Sequence, residues 1–157
     1  MSKQEEHNYR VDIEWKGGRV GNMSSPSLNE SIDVATPPEF PGGVEGVWSP
    51  EHLFTASVSS CFMTSFLAIA EYSKFEFDDL KINSSGKMSR DENNKYVMSE
   101  VTIKASLSIQ NQEKESKAYR LLEKAEEICL ITRSIKTKVK LVTEVSIKES
   151  KTDQVSV

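Results

Sequence analysis

Histidine and cysteine are the scarcest reactive residues in this chain, two of each: His7, His52, Cys61 and Cys129. Two cysteines with no basic, apolar leader ahead of them do not make a disulfide framework. Neither histidine stands at a zinc-ligand spacing from the cysteines. A Cys-His hydrolase would need His52 to reach Cys61 from nine residues earlier, with no third group to orient it. A surplus of positive charge is also missing, since 20 Lys and Arg face 24 Asp and Glu for a net charge of −4. Without clustered cations to neutralise phosphates, nucleic acid is excluded as a partner. No phosphate loop, dinucleotide glycine pattern, fixed-period repeat or low-complexity block is present. What remains is 157 residues, 37% hydrophobic and 28% charged, the profile of one cytosolic globular domain. In such a domain the bland reading of a cysteine is a small buried hydrophobe, and the alternative is thiol chemistry.

Long apolar runs are scarce too, and the one that exists organises the chain. Residues 49–74 read as a single helix, with Ser49 as N-cap, Pro50 in the first turn and Glu51 at the positive end of the macrodipole. No charge interrupts residues 53–70, and the apolar side chains Leu53, Phe54, Ala56, Val58, Phe62, Met63, Phe66, Leu67 and Ile69 fall on every face. Such a helix is buried on most sides and needs a sheet or a second subunit to cover it. The run approaches the length of a membrane span, but Thr55, Ser57, Ser59, Ser60, Thr64 and Ser65 are spread through it, so no membrane partner is expected.

Around this helix the pattern alternates. Residues 1–8 are polar and expected to fray. Tyr9, Val11, Ile13 and Trp15 alternate with charged residues as in a strand with one buried face. Gly17 and Gly18 turn the chain, residues 19–24 return as a second strand, and residues 31–35 make a short third. Residues 36–47, with Pro37, Pro38, Pro41, Gly42, Gly43 and Gly46, form a loop feeding the helix. Residues 80–90 and 95–110 read as a hairpin around the polar turn 91–94. A helix over residues 114–132 places Ala118, Leu121, Leu122, Ala125 and Cys129 on one face. Residues 138–148 alternate as a last strand, and residues 149–157 read as a disordered tail. The expectation is one α+β domain over residues 9–148, built on antiparallel hairpins.

At this point particular residues resemble a known family. Gly17-Gly18-Arg19 after the first strand, Ser49-Pro50-Glu51-His52-Leu53-Phe54 leading to Ser60-Cys61-Phe62, and Ala125-Glu126-Glu127-Ile128-Cys129 in the second helix are similar to the OsmC/Ohr family of thiol-dependent hydroperoxide reductases. The resemblance covers residues 9–148. It implies the OsmC-like fold, with antiparallel sheets around a long buried central helix, in an intertwined cytoplasmic homodimer with two sites at the interface. Carried over, Cys61 is the peroxidatic cysteine, Cys129 the resolving cysteine, Arg19 the activating arginine and Glu51 the carboxylate that holds it. The implied partners are a hydroperoxide substrate and a dithiol reductant, either a dihydrolipoyl group or a thioredoxin-like protein; no metal, flavin or haem is implied. Two positions depart: Ser49 stands where these proteins often have Asn, and Leu130 where many of the Ohr branch have Pro. The second departure points to the OsmC-like branches.

The residues support this chemistry in their own right. A thiolate attacks one peroxide oxygen to give a sulfenic acid and an alcohol, and the sulfenic acid condenses with a second thiol. Lowering a thiol pKa from ~8.5 to ~6 raises the thiolate fraction at pH 7 roughly 30-fold. Nucleophilicity falls roughly 10-fold over the same interval if the Brønsted slope of ~0.4–0.5 applies. Little net rate remains, so Arg19 is expected to act mostly by stabilising the leaving oxygen and aligning the peroxide. Glu51 and Cys61 are ten residues apart, about 15 Å of rise and about 80° around one continuous helix. Either the helix breaks between them, or Arg19 bridges them, or Glu51 serves the partner's cysteine. The simpler readings are a first-turn charge for Glu51 and a surface turn residue for Arg19. Arg10 alternates away from its strand's apolar face, and Arg133 is an ordinary cation near a helix end. The rival function on the same fold is a non-catalytic redox sensor or a carrier of a small apolar ligand.

Overall fold

The computed structural model describes residues 4–148; the expected frayed start in part (residues 1–3) and the expected disordered tail (149–157) lie outside the described residues. Two compact units follow one another in the chain, the first ending at Leu53 and the second beginning at Phe54. The first contains β1 (Asp12–Gly17), β2 (Val20–Ser24) and β3 (Ile32–Ala35) in a meander of two antiparallel pairings. Strand β1 begins three residues later than the alternation from Tyr9 predicts. Its last partner is Ser24, opposite Asp12, and Pro26 shortly beyond ends the partner strand. Its apolar residues are not buried within the chain either: Ile13 is 63% and Trp15 79% exposed. Gly17 (φ 134°) and Gly18 (φ 53°) take backbone conformations closed to most side chains, which makes the β1–β2 turn and leaves Arg19 at its exit.

Helix α1 (Pro50–Tyr72) begins in the first unit and continues unbroken into the second. Ser49, fully buried, accepts the backbone N–H of His52 (3.1 Å) at its hydroxyl, and that hydroxyl lies 2.6 Å from His52 Nδ1. This is an N-cap in which a histidine at the third helical position replaces the Glu or Gln of a capping box. The approach is fixed by the preceding residue: Trp48 O accepts from Ala35 N (2.8 Å), and its ring stands edge-on to His52, centroids 6.2 Å apart. At the other end Lys74 (φ 51°) takes a left-handed turn, with Phe75 N bonded to Ala70 O (2.8 Å) and Lys74 N to Glu71 O (3.1 Å). These two bonds form a Schellman stop, in which Phe75 and Ala70 both enter the core.

The second unit is a sheet covered on one face by helices. Strands β4 (Asp79–Arg90), β5 (Tyr96–Ile109) and β6 (Lys138–Ile147) lie in that order. Val101, Ile103, Ala105, Leu107 and Ile109 of the central strand point into the core, while Lys104 and Ser106 are exposed. Onto this face α1 lays Val58, Phe62, Phe66 and Ala70, one position in every four and thus one stripe of the helix. Gly86 of β4 allows close approach, since a Cβ there would run into the Thr55 hydroxyl. Among the described residues the named strands pair antiparallel except β5 and β6, which run parallel. The helical segment between them carries the chain back along the sheet, so that β6 starts from the same end as β5.

That segment is also not the single helix 114–132 that its apolar spacing predicts. A 3-10 turn (Gln112–Lys114) leads into α2 (Glu115–Ile128), the chain breaks at Cys129 (φ −58°, ψ 116°), and a short α3 (Leu130–Ser134) follows. The break falls where Ile128, Ile131 and Thr132 concentrate β-branched side chains, which are weak helix formers. Ala118, Leu122, Ala125 and Cys129 turn inward as expected, fully buried, while Leu121 of the same expected face is partly buried against the core.

Candidate functional site

Both cysteines are free thiols, and the fold brings them together in the second unit. Cys61 lies on α1 one residue before the buried Phe62, at the margin of the buried stripe, and is half-buried. Cys129 sits fully buried at the break between α2 and α3. Burial pushes the Cys61 thiol up. This is outweighed by hydrogen bonds donated to its sulfur by the Ile131 N–H, the Cys129 thiol, the Leu130 N–H and the Ser65 hydroxyl, which bring it below the ordinary 9.0. Cys129 shifts the other way. Its burial raises it above 9.0; the Thr132 side chain and N–H oppose this, while donation to Cys61 and the negative charge that Cys61 acquires reinforce it.

Three of these contributors were not foreseen. Ser65 had a sequence signal, because four residues along a helix returns to the same face as Cys61. The N–H groups of Leu130 and Ile131 had none, because an intact helix would have bonded them to carbonyls one turn back. The break at Cys129 frees them. It also bears on the departure at residue 130: Leu130 is the first residue of α3, a position that suits proline. Leucine makes the same turn and keeps an N–H for the thiolate.

The other two expected site residues belong to the first unit. Glu51 is in the first turn of α1, with its Oε2 shielded from solvent. Arg19 lies across Gly42 of the loop that precedes the helix. Since α1 is uninterrupted, the first of the three ways to join Glu51 to Cys61, a broken helix, is removed. Among the described residues no group of three or more His, Cys, Asp or Glu side chains is arranged to hold a metal ion.

The second unit thus carries a thiol pair with unlike environments, one sulfur half-buried and favoured as thiolate, the other buried and disfavoured as thiolate. Residues 43–144 match the OsmC-like protein family, and the chain belongs to it. The Bacillus subtilis protein YmaD, uncharacterised, is 28% identical over 148 residues, 91% of this chain and 96% of that one. The organic hydroperoxide resistance protein-like 2 of Staphylococcus saprophyticus is 25% identical, over 88% of this chain and 96% of its own length. In fold, the chain is similar to an OsmC-like protein of unknown function from Vibrio cholerae, with a TM-score of 0.77 at 22% identity, covering 90% of this chain and all of that one.

Proposed function

We propose that this protein is a cysteine-based peroxidase that reduces organic hydroperoxides to alcohols, in oxidative-stress defence in the cytoplasm. The Cys61 thiolate attacks the hydroperoxide oxygen that bears the proton, the O–O bond breaks, and the products are Cys61 sulfenic acid and an alkoxide that takes up a proton. The Cys129 sulfur then displaces the sulfenic oxygen, which leaves as water, and a Cys61–Cys129 disulfide forms. An external dithiol returns both cysteines to thiols and is itself oxidised to a disulfide. The incoming dithiol attacks the accessible Cys61 sulfur, and the Cys129 sulfur leaves with the bonding pair and takes up a proton, in keeping with its raised pKa.

The observation that carries this reading is the contact between a half-exposed thiol lowered by four hydrogen bonds and a buried thiol that donates one of them. A buried pair of inert cysteines has no need of that asymmetry. The hydroperoxide-resistance name of the staphylococcal relative points the same way. Arg19 is assigned to the leaving oxygen and Glu51 to holding Arg19, in a homodimer whose second subunit covers the open face of α1.

The test is consumption of cumene hydroperoxide by the reduced protein with dihydrolipoamide, or with thioredoxin, as electron donor. Sustained turnover in wild type, abolished in Cys61→Ser and limited to one equivalent in Cys129→Ser, is the expected result. No turnover with either donor, with a small apolar molecule retained through purification, would transfer the case to the ligand-carrier reading.

A further inference from the structure

The loop ahead of α1 is closed on itself by its own backbone. Phe40 N bonds to Pro37 O (3.1 Å), Gly43 N to Phe40 O (2.9 Å) and Val44 N to Thr36 O (2.9 Å). At Gly43 a Cβ would run into the Pro37 carbonyl and the Pro38 backbone, so the two limbs of the loop touch with no side chain between them. Proline at positions 37, 38 and 41 removes further backbone freedom. On this stiffened support Gly42 faces Arg19: a Cβ there would stand 3.1 Å from Nε, 3.3 Å from Cζ and 3.4 Å from Nη2. Three consecutive atoms of one guanidinium at nearly equal distance mean that it lies flat against the bare backbone of residue 42. Any side chain would lift it.

We infer that Gly42 is a positioning residue, and that the loop of residues 36–44 is a fixed saddle that sets the plane of the Arg19 guanidinium. This rests on the peroxidase reading, in which Arg19 stabilises the leaving oxygen. That task depends on direction, because a donor must point where charge develops. A long, exposed arginine has many rotamers, and a flat backbone surface under its fork selects among them at little cost in freedom at the moment of reaction. The three atoms nearest a Cβ at residue 42 all belong to Arg19, so an added side chain presses first on the guanidinium.

A neighbouring glycine provides the control. Gly42 (φ 79°) and Gly46 (φ 75°) share the same left-handed backbone, but around Gly46 a Cβ would meet nothing within 4 Å. Alanine at either meets a similar positive φ, and of the two only at 42 does it press on Arg19. The experiment measures the second-order rate of Cys61 oxidation by cumene hydroperoxide in Gly42→Ala, Gly46→Ala, Arg19→Ala and the double variant Gly42→Ala/Arg19→Ala. Gly42→Ala should lose about 10-fold, since a displacement of about 1 Å at a reacting centre costs roughly 100-fold and this one is smaller. Gly46→Ala should match wild type, and the double variant should be no slower than Arg19→Ala. Equal effects at 42 and 46, or a Gly42→Ala loss that persists undiminished without Arg19, would overturn the inference. A second readout is independent of turnover: the Arg19 Nε–H resonance, assigned by its loss in Arg19→Ala, should move in Gly42→Ala and stay in Gly46→Ala. An unmoved resonance in Gly42→Ala overturns the saddle even if the protein is a peroxidase. A wild type that cumene hydroperoxide does not oxidise, with the resonance moved, keeps the saddle and removes only the peroxidase reading.

Discussion

The balance at Cys61 is between burial, which resists a thiolate, and donors that stabilise it. Because the donors win, the thiol ionises below 9.0, and the rate of oxidation by peroxide should climb with pH through that lowered value and level off above it. A profile still rising steeply beyond pH 9 would contradict the donor assignment. Leu130→Pro isolates one donor. Proline fits the first position of α3, and the extended ψ of 116° at Cys129 is one that a residue before proline adopts readily. Only the N–H is lost, so the Cys61 titration, followed by iodoacetamide alkylation against pH, should move up while the fold persists. The same titrations bear on stability with opposite signs. The depressed Cys61 stabilises the fold above its unfolded pKa, and this contribution is lost as pH falls through the folded value. The raised Cys129 opposes it: its contribution is present below the unfolded pKa and lost as pH rises through the folded one.

At the level of elements, the ends of α1 carry measurable energy. Ser49→Ala removes a fully buried cap from His52 N–H and should cost about 1–2 kcal/mol in urea unfolding. Lys74→Gly relieves a left-handed lysine and should gain about 1 kcal/mol. A null effect at both ends would mean that the helix is held by its packed stripe alone. These ends were legible in the sequence because capping is local chemistry: Ser49, Pro50 and Glu51 announce the start whatever surrounds them. The alternation of Val101 to Ile109 was equally plain, since period two on a buried face has one reading. Two features were not legible. The break at Cys129 lies inside an apolar stripe that continues through it, and no glycine or proline marks it. The parallel return of β6 depends on where the preceding helices deliver the chain, which no local pattern records.

In the whole molecule, the open question is what covers the rest of α1. The sequence shows apolar residues on every face of this helix, yet within one chain a single stripe is sealed, and Met63 and Leu67 remain 39% and 40% exposed. A second copy is the occupant that the proposed homodimer places there. Leu67→Arg should shift the protein from dimer to monomer in sedimentation, with loss of peroxide reactivity if Glu51 serves the partner's Cys61. A monomer that keeps full reactivity would exclude that arrangement and leave Arg19 as the bridge within one subunit.

The central claim is that Cys61 takes the oxygen and Cys129 resolves it. Intact-protein mass spectrometry of the reduced protein after one equivalent of cumene hydroperoxide tests it most directly. The account predicts loss of two hydrogens in wild type, a trappable sulfenic acid in Cys129→Ser and an unchanged mass in Cys61→Ser. A wild type that stays reduced for many minutes, or a Cys61→Ser variant that is oxidised at Cys129 as fast as wild type, would contradict it.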